Sequence, residues 1–362
     1  MSESPPSVSV VMPVYNAGEY LRAALESLLA QTFRDFEVIA VDDGSTDGSA
    51  SLLAEYARRE AHIVILTHAQ NQGIVAALND GLQAARGRYI ARMDADDLSL
   101  PERFERQVEF LDAHPEVGIL GSEEIFIDPQ GQQIGRMSHL HDDLSIRWAS
   151  LLSNVFFHPT VMLRRELLTR HQLEYQAGIR YAQDYDLWVR LLRHTRAANL
   201  EQALVWYRVY PESISSRHRQ EQMEIHARIS LAHLQRTFPE FQITPEEHTA
   251  LAAAFTGKLS PSQAWQRPAL ARRYLELWQA FARQHAGDPV LAHLRHEAVV
   301  QAAKIGLYPP FQPGWLGTTR GLFAADPLWG LYFAAGFPHM VQLKLRARRL
   351  RRLRAGSQAQ HG

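Results

Sequence analysis

Phe36-Glu37-Val38-Ile39-Ala40-Val41-Asp42-Asp43-Gly44-Ser45-Thr46-Asp47 is the stretch whose reading decides the fold class. The mostly apolar run Phe36–Val41 reads as a buried strand. The acid-glycine-hydroxyl turn after it leads into a helix carrying Leu52, Leu53 and Tyr56. The same alternation continues on both sides. Val8–Met12 is a strand bounded by Pro13, and helical spacing follows at Leu21, Leu25, Leu28 and Leu29. Ile63–Leu66 is a third strand. Ile74, Ala77, Leu78, Leu82 and Ala85 mark the next helix, which Gly87 closes, and Tyr89–Met93 is a fourth strand. Strands separated by helices of this length form right-handed βαβ units in a mostly parallel sheet.

Beyond Pro101 the alternation fades. A helix over Glu102–His114 gives way to a strand over Val117–Ile127, a Pro129-Gln130-Gly131 turn and a return strand. Helical spacing covers Asp143–Leu152 and Asp184–His194, and Ala203–Val209 is a further strand. From Arg217 onward the pattern is helical and punctuated by proline. A length of 362 residues suggests about two domains. The expected division is an α/β catalytic domain over 1–225 and a helical region over 226–362.

Composition narrows the function classes. Apolar residues at 46% and charged residues at 21% are ordinary for a soluble globular protein. A net charge of −1 gives no electrostatic case for a nucleic-acid partner. The absence of cysteine excludes disulfides, thiolate metal sites and a cysteine nucleophile, and it fits a reducing compartment. Met1–Ser7 has neither a basic nor an apolar stretch of the secretory kind, so a cytoplasmic location is expected.

Three acidic constellations carry the chemistry. Met93-Asp94-Ala95-Asp96-Asp97 directly follows a buried strand, and in open α/β sheets ligands bind beyond such strand ends. Paired carboxylates suit Mg²⁺ or Mn²⁺, which favour oxygen ligands and share them with phosphates. The alternative is that Asp96 and Asp97 cap the next helix. In the Asp42–Asp47 turn, Gly44 permits a tight bend and Ser45, Thr46 or Asp47 can cap a helix. One of its acids, Asp43 more than Asp42, matches a nucleobase imide N–H as acceptor to donor. In Tyr181-Ala182-Gln183-Asp184-Tyr185-Asp186-Leu187-Trp188, Asp184 or Asp186 is either a helix N-cap or a general base facing a cleft.

Their order along the chain resembles the family-2 glycosyltransferases, which have the GT-A fold. The matching pieces are Val10-Val11-Met12-Pro13-Val14-Tyr15-Asn16, the Asp42–Asp47 turn, Asn71-Gln72-Gly73, and Asp94–Asp97 followed by Pro101 and Arg103. His158-Pro159-Thr160 and Gln183-Asp184-Tyr185-Asp186-Leu187-Trp188 complete the set, which runs from about Ser7 to about Ser216. The resemblance implies an α/β GT-A fold with a Rossmann-like mixed sheet and a helical C-terminal region. It implies nucleotide contacts from Pro13, Tyr15, Asn16, Asp42, Asp43 and Asp94, a metal pair in Asp94 and Asp96 for Mn²⁺ or Mg²⁺, and Asp184 as catalytic base. It further implies inversion by one in-line displacement. The donor is then a nucleotide-sugar, a UDP-sugar ahead of GDP- or dTDP-sugars. The acceptor is a glycan or lipid-linked saccharide of cell-envelope polysaccharide biosynthesis.

Two positions depart from the family pattern. Gln183 stands where glutamate is frequent, and Tyr210 stands where histidine is usual in Tyr207-Arg208-Val209-Tyr210-Pro211. His218, Arg208 or Arg217 could replace that histidine electrostatically. His158 precedes Pro159, which favours an extended backbone, and reads either as an acceptor-side contact or as a strand-end histidine. Arg103 reads as solvated helix surface, with a phosphate contact the alternative. The tryptophans at 265, 278, 315 and 329 read as helix packing ahead of a sugar platform. No Gly-x-Gly-x-x-Gly follows the first strand, which disfavours a dehydrogenase, and no phosphate loop supports a nucleotidyltransferase. A non-catalytic glycan- or nucleotide-binding protein on a transferase fold is the remaining alternative.

The stretch 321–343 is mostly apolar and runs into Lys344, Arg346, Arg348, Arg349, Arg351, Arg352 and Arg354. Asp326, Pro327, Pro338 and His339 interrupt it. The preferred reading of 321–354 is a peripheral, in-plane membrane contact drawn by anionic lipid. Two core helices with a solvated basic tail are the alternative.

Overall fold

The computed structural model describes residues 5–210, 218–260 and 266–307. Contacts divide the chain into two compact units, Met1–Glu240 and Phe241–Gly362.

The first unit is built on a nine-stranded sheet. Strands β1 (Val8–Val14) and β2 (Phe36–Asp42) are buried along their whole length, as apolar runs covered on both faces must be. With β3 (Ile63–Thr67) and β4 (Tyr89–Arg92) they form a parallel block in the order β3-β2-β1-β4. Helices α1 (Tyr20–Leu29), α2 (Ser49–Arg59) and α3 (Ile74–Ala84) make the crossovers. On α1 the buried residues are Leu21, Ala24, Leu25 and Leu28, one face of a 3.6-residue repeat.

Past β4 the sheet becomes mixed, as the GT-A resemblance implies. The short β8 (Met162–Arg164) lies antiparallel to β4, and β6 (Val117–Ile127) lies antiparallel to β8. Next comes β9 (Arg196–Arg208), parallel to β6, then the two-residue β5 (Leu98–Ser99), antiparallel to β9. The hairpin partner β7 (Gln133–Met137) pairs with β6 alone. Strand β9 begins seven residues before the expected Ala203, since its first half carries Arg196, Asn199 and Glu201 and shows no apolar run. Helices α4 (Arg103–Ala113), α5 (Asp143–Ser150), α6 (Arg165–His171) and α7 (Gln183–Leu191) complete the layers. The helix α8 (Arg219–Thr237) follows. It crosses the expected boundary at 225 and belongs to the first unit, because Ile225 and Ile229 pack on Ala182, Tyr185 and Val189.

Two local expectations are corrected. His158 opens a one-turn 3-10 helix, His158–Thr160, in place of an extended segment. Arg103 is fully buried and donates to Gln107 and to the carbonyl of Arg92, so it lies inside the core and away from solvent.

In the second unit the described residues are helical: α9 (Pro245–Phe255), α10 (Arg267–Gln284) and α11 (Leu291–Leu307). Thr244 and Glu247 form a reciprocal capping box at the start of α9, with Pro245 at the first helical position. Leu270, Tyr274, Leu277, Trp278 and Phe281 on α10 are buried, as are Leu294, Ala298, Val299 and Ala302 on α11. Trp278 thus packs helices, while Trp265, Trp315, Trp329 and the whole of 321–354 lie outside the described residues. Among the described residues no helix is long and apolar enough to cross a membrane.

Close approach fixes the start of the sheet. The buried carboxylate of Glu37 accepts from the Ser9 hydroxyl at 2.7 Å and from Arg86, and Ser9 in turn accepts from the Gly87 N–H at 2.8 Å. Burial pushes the Glu37 carboxyl up, and the Ser9 and Arg86 contacts outweigh it, leaving it below its ordinary value. A Cβ on Gly87 would stand 2.6 Å from the Ser9 nitrogen. Gly87→Ala should therefore destabilise the first unit by about 1–3 kcal/mol through overpacking against backbone. Urea unfolding checks this, and an unchanged midpoint would contradict it.

Candidate active site

The carboxyl ends of β1, β2 and β4 open on one side of the sheet, and each expected acid comes from such an end or from a facing loop. At β4, Asp94, Asp96 and Asp97 bring carboxylate oxygens within 4.8 Å of one another. None of them caps a helix: α4 begins after Glu102, which makes no side-chain cap. Asp94 forms an ion pair with the buried Arg92 guanidinium. Asp96 accepts from the Tyr210 hydroxyl at 2.6 Å. Asp97 is fully buried, accepts the Arg208 backbone N–H at 2.9 Å through Oδ1, and has no partner for Oδ2 among the described residues.

Burial is the largest influence on Asp96 and Asp97. It raises the Asp96 carboxyl, as does the charge of Asp94, against the Tyr210 hydrogen bond. Burial, then Asp94 and Asp96, raise Asp97 well above the ordinary carboxylate range. Three clustered acids, of which one is paired with Arg92 and one has an orphaned buried oxygen, form a donor set that a hard divalent cation fits. Sequence reading named Asp94 and Asp96; Asp97, adjacent in the same motif, joins them.

At β2, Asp42 accepts the Ser45 N–H, closing the turn. Asp43 is 3% exposed. Its Oδ1 accepts from His68 at 2.6 Å and from the Gln72 N–H at 2.8 Å, and its Oδ2 accepts the Gly73 N–H at 2.8 Å. Gly44 is required here: φ is +74°, and a Cβ would meet the backbone of Gln70 at 2.7 Å. Asp47 holds the start of α2 by accepting from Ser49, and it reaches Gly18 as well. At β1, Pro13 lies inside the strand and Tyr15 is 53% exposed. Asn16, with φ +48°, accepts the Thr46 N–H at 2.8 Å, so the β1 and β2 turns are bound together.

Across from the cluster, Asp184 lies in the first turn of α7, whose N-cap position is Ala182, and no side chain caps that helix. Asp184 is therefore released from capping. Its Oδ2 accepts from Asn154 Nδ2 at 2.8 Å, and the Asn154 oxygen accepts the Phe156 N–H, which sets the amide's orientation. Gln183 is buried, with Oε1 unpartnered among the described residues.

Tyr175 is buried beside His158. Burial raises its hydroxyl strongly, and it feels the charges of Arg92, Asp184 and Asp94 together. Its hydroxyl lies 2.8 Å from His158 Nε2, and Asn79 grips both of its backbone groups, at 2.8 and 3.0 Å. Burial and the Arg92 charge hold His158 well below the usual imidazole range, so the ring is neutral. Asn154, Tyr175 and Asn79 carry no sequence signal, since each is a lone polar or aromatic residue with distant partners.

The remaining candidates are placed differently. Arg208 is buried and spends its guanidinium on the carbonyls of Asp96, Asp128 and Pro129. His218 stacks on Tyr181 with ring centroids 4.4 Å apart. Arg217 lies outside the described residues, as do Pro211, Ser213 and Ser215.

Known proteins resemble this chain in the same region. The family model described as "Glycosyl transferase family 2" matches residues 9–171. An uncharacterized glycosyltransferase of Haemophilus influenzae is 33% identical over 232 residues, 61% of this chain and 71% of the relative. The amylovoran biosynthesis glycosyltransferase AmsE of Erwinia amylovora is 34% identical over 214 residues, 58% of this chain and 79% of AmsE. Among solved structures, S. aureus TarS 1–349 in complex with UDP aligns with a TM-score of 0.51 at 20% identity, covering 87% of this chain and 92% of that one. The mannosyltransferase PcManGT of Pyrobaculum calidifontis, in complex with GDP-Man and Mn²⁺, aligns at 0.52 and 21% identity, covering 90% and 87%. At such identities the likeness is one of fold, the GT-A arrangement of a mixed sheet with helices.

The depressed His158 gives a pH signature. The unfolded ring takes up a proton below about pH 6.5, whereas the folded ring does not, so its stabilising contribution is present above that pH and lost as pH falls. The slope approaches about 1.4 kcal/mol per pH unit. His158→Gln should flatten the decline in unfolding free energy between about pH 6.5 and 5. Parallel curves for variant and wild type would contradict it.

Proposed function

The chain belongs to glycosyl transferase family 2 and is a glycosyltransferase, and from that premise we propose that it moves a sugar, with inversion, from a nucleotide-diphosphate donor to an acceptor hydroxyl. The donor is a UDP-sugar, and the acceptor is a glycan or lipid-linked saccharide of surface-polysaccharide assembly. One observation carries the reading: Asp94, Asp96 and Asp97, directly after β4, bring their carboxylate oxygens within 4.8 Å of one another. Solved relatives of the fold in complex with UDP, or with GDP-Man and Mn²⁺, support the choice of donor class and cation. The role of AmsE in amylovoran biosynthesis supports the acceptor class.

Each residue then has a task. Asp43 keeps one lone-pair direction open on Oδ2 after three donors are counted, enough for one base N–H. Tyr15 offers an exposed ring beside it. Asp94, Asp96 and Asp97 would hold Mn²⁺ or Mg²⁺, which when bound supplies Lewis-acid stabilisation to the leaving diphosphate. Tyr210 holds Asp96 by hydrogen bond where the family usually places histidine.

Asp184 takes the acceptor's proton. Asn154 occupies its Oδ2, leaving Oδ1 for the incoming hydroxyl. The acceptor oxygen bonds to the anomeric carbon as the bond to phosphate breaks, its electron pair leaving with the nucleoside diphosphate. A peripheral membrane contact through 321–354, supported by the basic block after an apolar stretch, would keep a lipid-linked acceptor near this site.

Asp184→Asn should lower transfer by about 10²–10⁴-fold, the usual weight of a general base, with UDP affinity nearly unchanged. The test is release of UDP from a nucleotide-sugar panel alongside calorimetric UDP binding. Wild-type turnover in the variant would eliminate Asp184 as base. Asp96→Asn should remove the Mn²⁺ dependence of UDP binding, and retained dependence would count against the cluster.

A further inference from the structure

His68 is the first residue past β3, and no expected site motif includes it. Its backbone N–H bonds to the Asp42 carbonyl at 2.9 Å, which turns the ring inward along the strand ends. Nδ1 lies 2.6 Å from Asp43 Oδ1, and Nε2 lies 2.8 Å from Asp80 Oδ2 on α3. The side chains of His68 and Asp43 are 7% and 4% exposed, while that of Asp80 is 45% exposed.

A neutral imidazole has one N–H and one bare nitrogen. Placed between two carboxylates, it would set a lone pair against a carboxylate oxygen on one side. Only the doubly protonated ring donates to both. We propose that His68, as an imidazolium clamped between Asp43 and Asp80, is the positioning residue of nucleotide recognition: it keeps Asp43 aimed, so that the free lone pair on Oδ2 accepts the N–H of uracil, thymine or guanine. The inference rests on the reading of Asp43 as the base contact. Its new content is that a histidine sets the direction of that carboxylate, and that a half-exposed acid behind it secures the ring's proton.

The electrostatics agree with the geometry. Burial pulls the ring's proton affinity down, but hydrogen bonds and charges of Asp43 and Asp80 outweigh it, leaving His68 above its ordinary value. These two acids, from the turn after β2 and from α3, are the charged groups that face the ring. The clamp is intact at pH below the unfolded value of about 6.5 and is lost as pH rises through the higher folded value. Once the proton leaves, one of the two contacts becomes repulsive and Asp43 is no longer held.

The experiment measures UDP, GDP and dTDP affinity by calorimetry on the full chain with Mg²⁺, from pH 6 to 9, for wild type, His68→Gln and Asp80→Asn. Glutamine keeps one amide donor for Asp43 and does not titrate, so the ratio of wild-type to variant affinity cancels the ionisation of the nucleotide itself. We expect that ratio to be about tenfold at pH 6, from loss of a charge-assisted bond, and to shrink as pH rises. Asp80→Asn, on a half-exposed position, should bind as wild type at pH 6 and lose affinity at lower pH than wild type does. A constant ratio, or an unmoved midpoint in Asp80→Asn, would overturn the role of His68 while leaving Asp43 as base contact. Failure of all three nucleotides to bind wild type at any pH would sink the reading of Asp43 together with this one.

Discussion

Mutual repulsion among three carboxylates at the end of β4 is the constraint around which the first unit is arranged. Asp94, Asp96 and Asp97 are held within 4.8 Å of one another, where water is scarce and like charges interact strongly. The fold tolerates this by local compensation. Arg92 faces Asp94 from the same strand, Tyr210 donates to Asp96, and the Arg208 backbone N–H serves Asp97. Arg103 is buried behind them, tied to the Arg92 carbonyl. What this leaves over is an orphaned oxygen on Asp97 and two carboxyls that burial holds above their ordinary range, a donor set that a hard divalent cation fits.

How much of this could be read from the residues depends on the range of the interaction. Strands β1, β2 and β4 and helices α1 to α4 show in the sequence, because buried apolar runs and 3.6-residue spacing are local consequences of burial. The Asp-x-Asp cluster shows because its position after a strand end is itself informative. The second half is harder. Strand β5 is two residues long and β8 three, too short for any period, and in the first half of β9 Asn199 donates to the Leu140 carbonyl while the Ala197 N–H donates to Asp143. Arg103 looked like helix surface since nothing local reveals that β4 and α4 close over it. Asn154 and Tyr175 meet Asp184 and His158 only after folding, across gaps of 30 and 17 residues.

The two departures from the family pattern have physical descriptions. A phenol at 210 cannot offer a ring nitrogen, but it spans the distance to Asp96 and donates there, and its ring lies against Tyr20. Gln183 begins α7 as a buried amide without the charge a glutamate would add beside Asp184.

The clasp between Asn79 and Tyr175 has a mechanical meaning. One side chain on α3 satisfies both backbone groups of a residue in the segment that precedes α7, in the manner of a strand partner. The same helix begins at Gly73, whose N–H serves Asp43, and carries Asp80, which serves His68. Displacement of the segment leading to Asp184 must therefore tear two bonds or drag α3, and with it the groups that hold Asp43 and His68. The turn after β2 and the segment before α7 are thus tied to one helix.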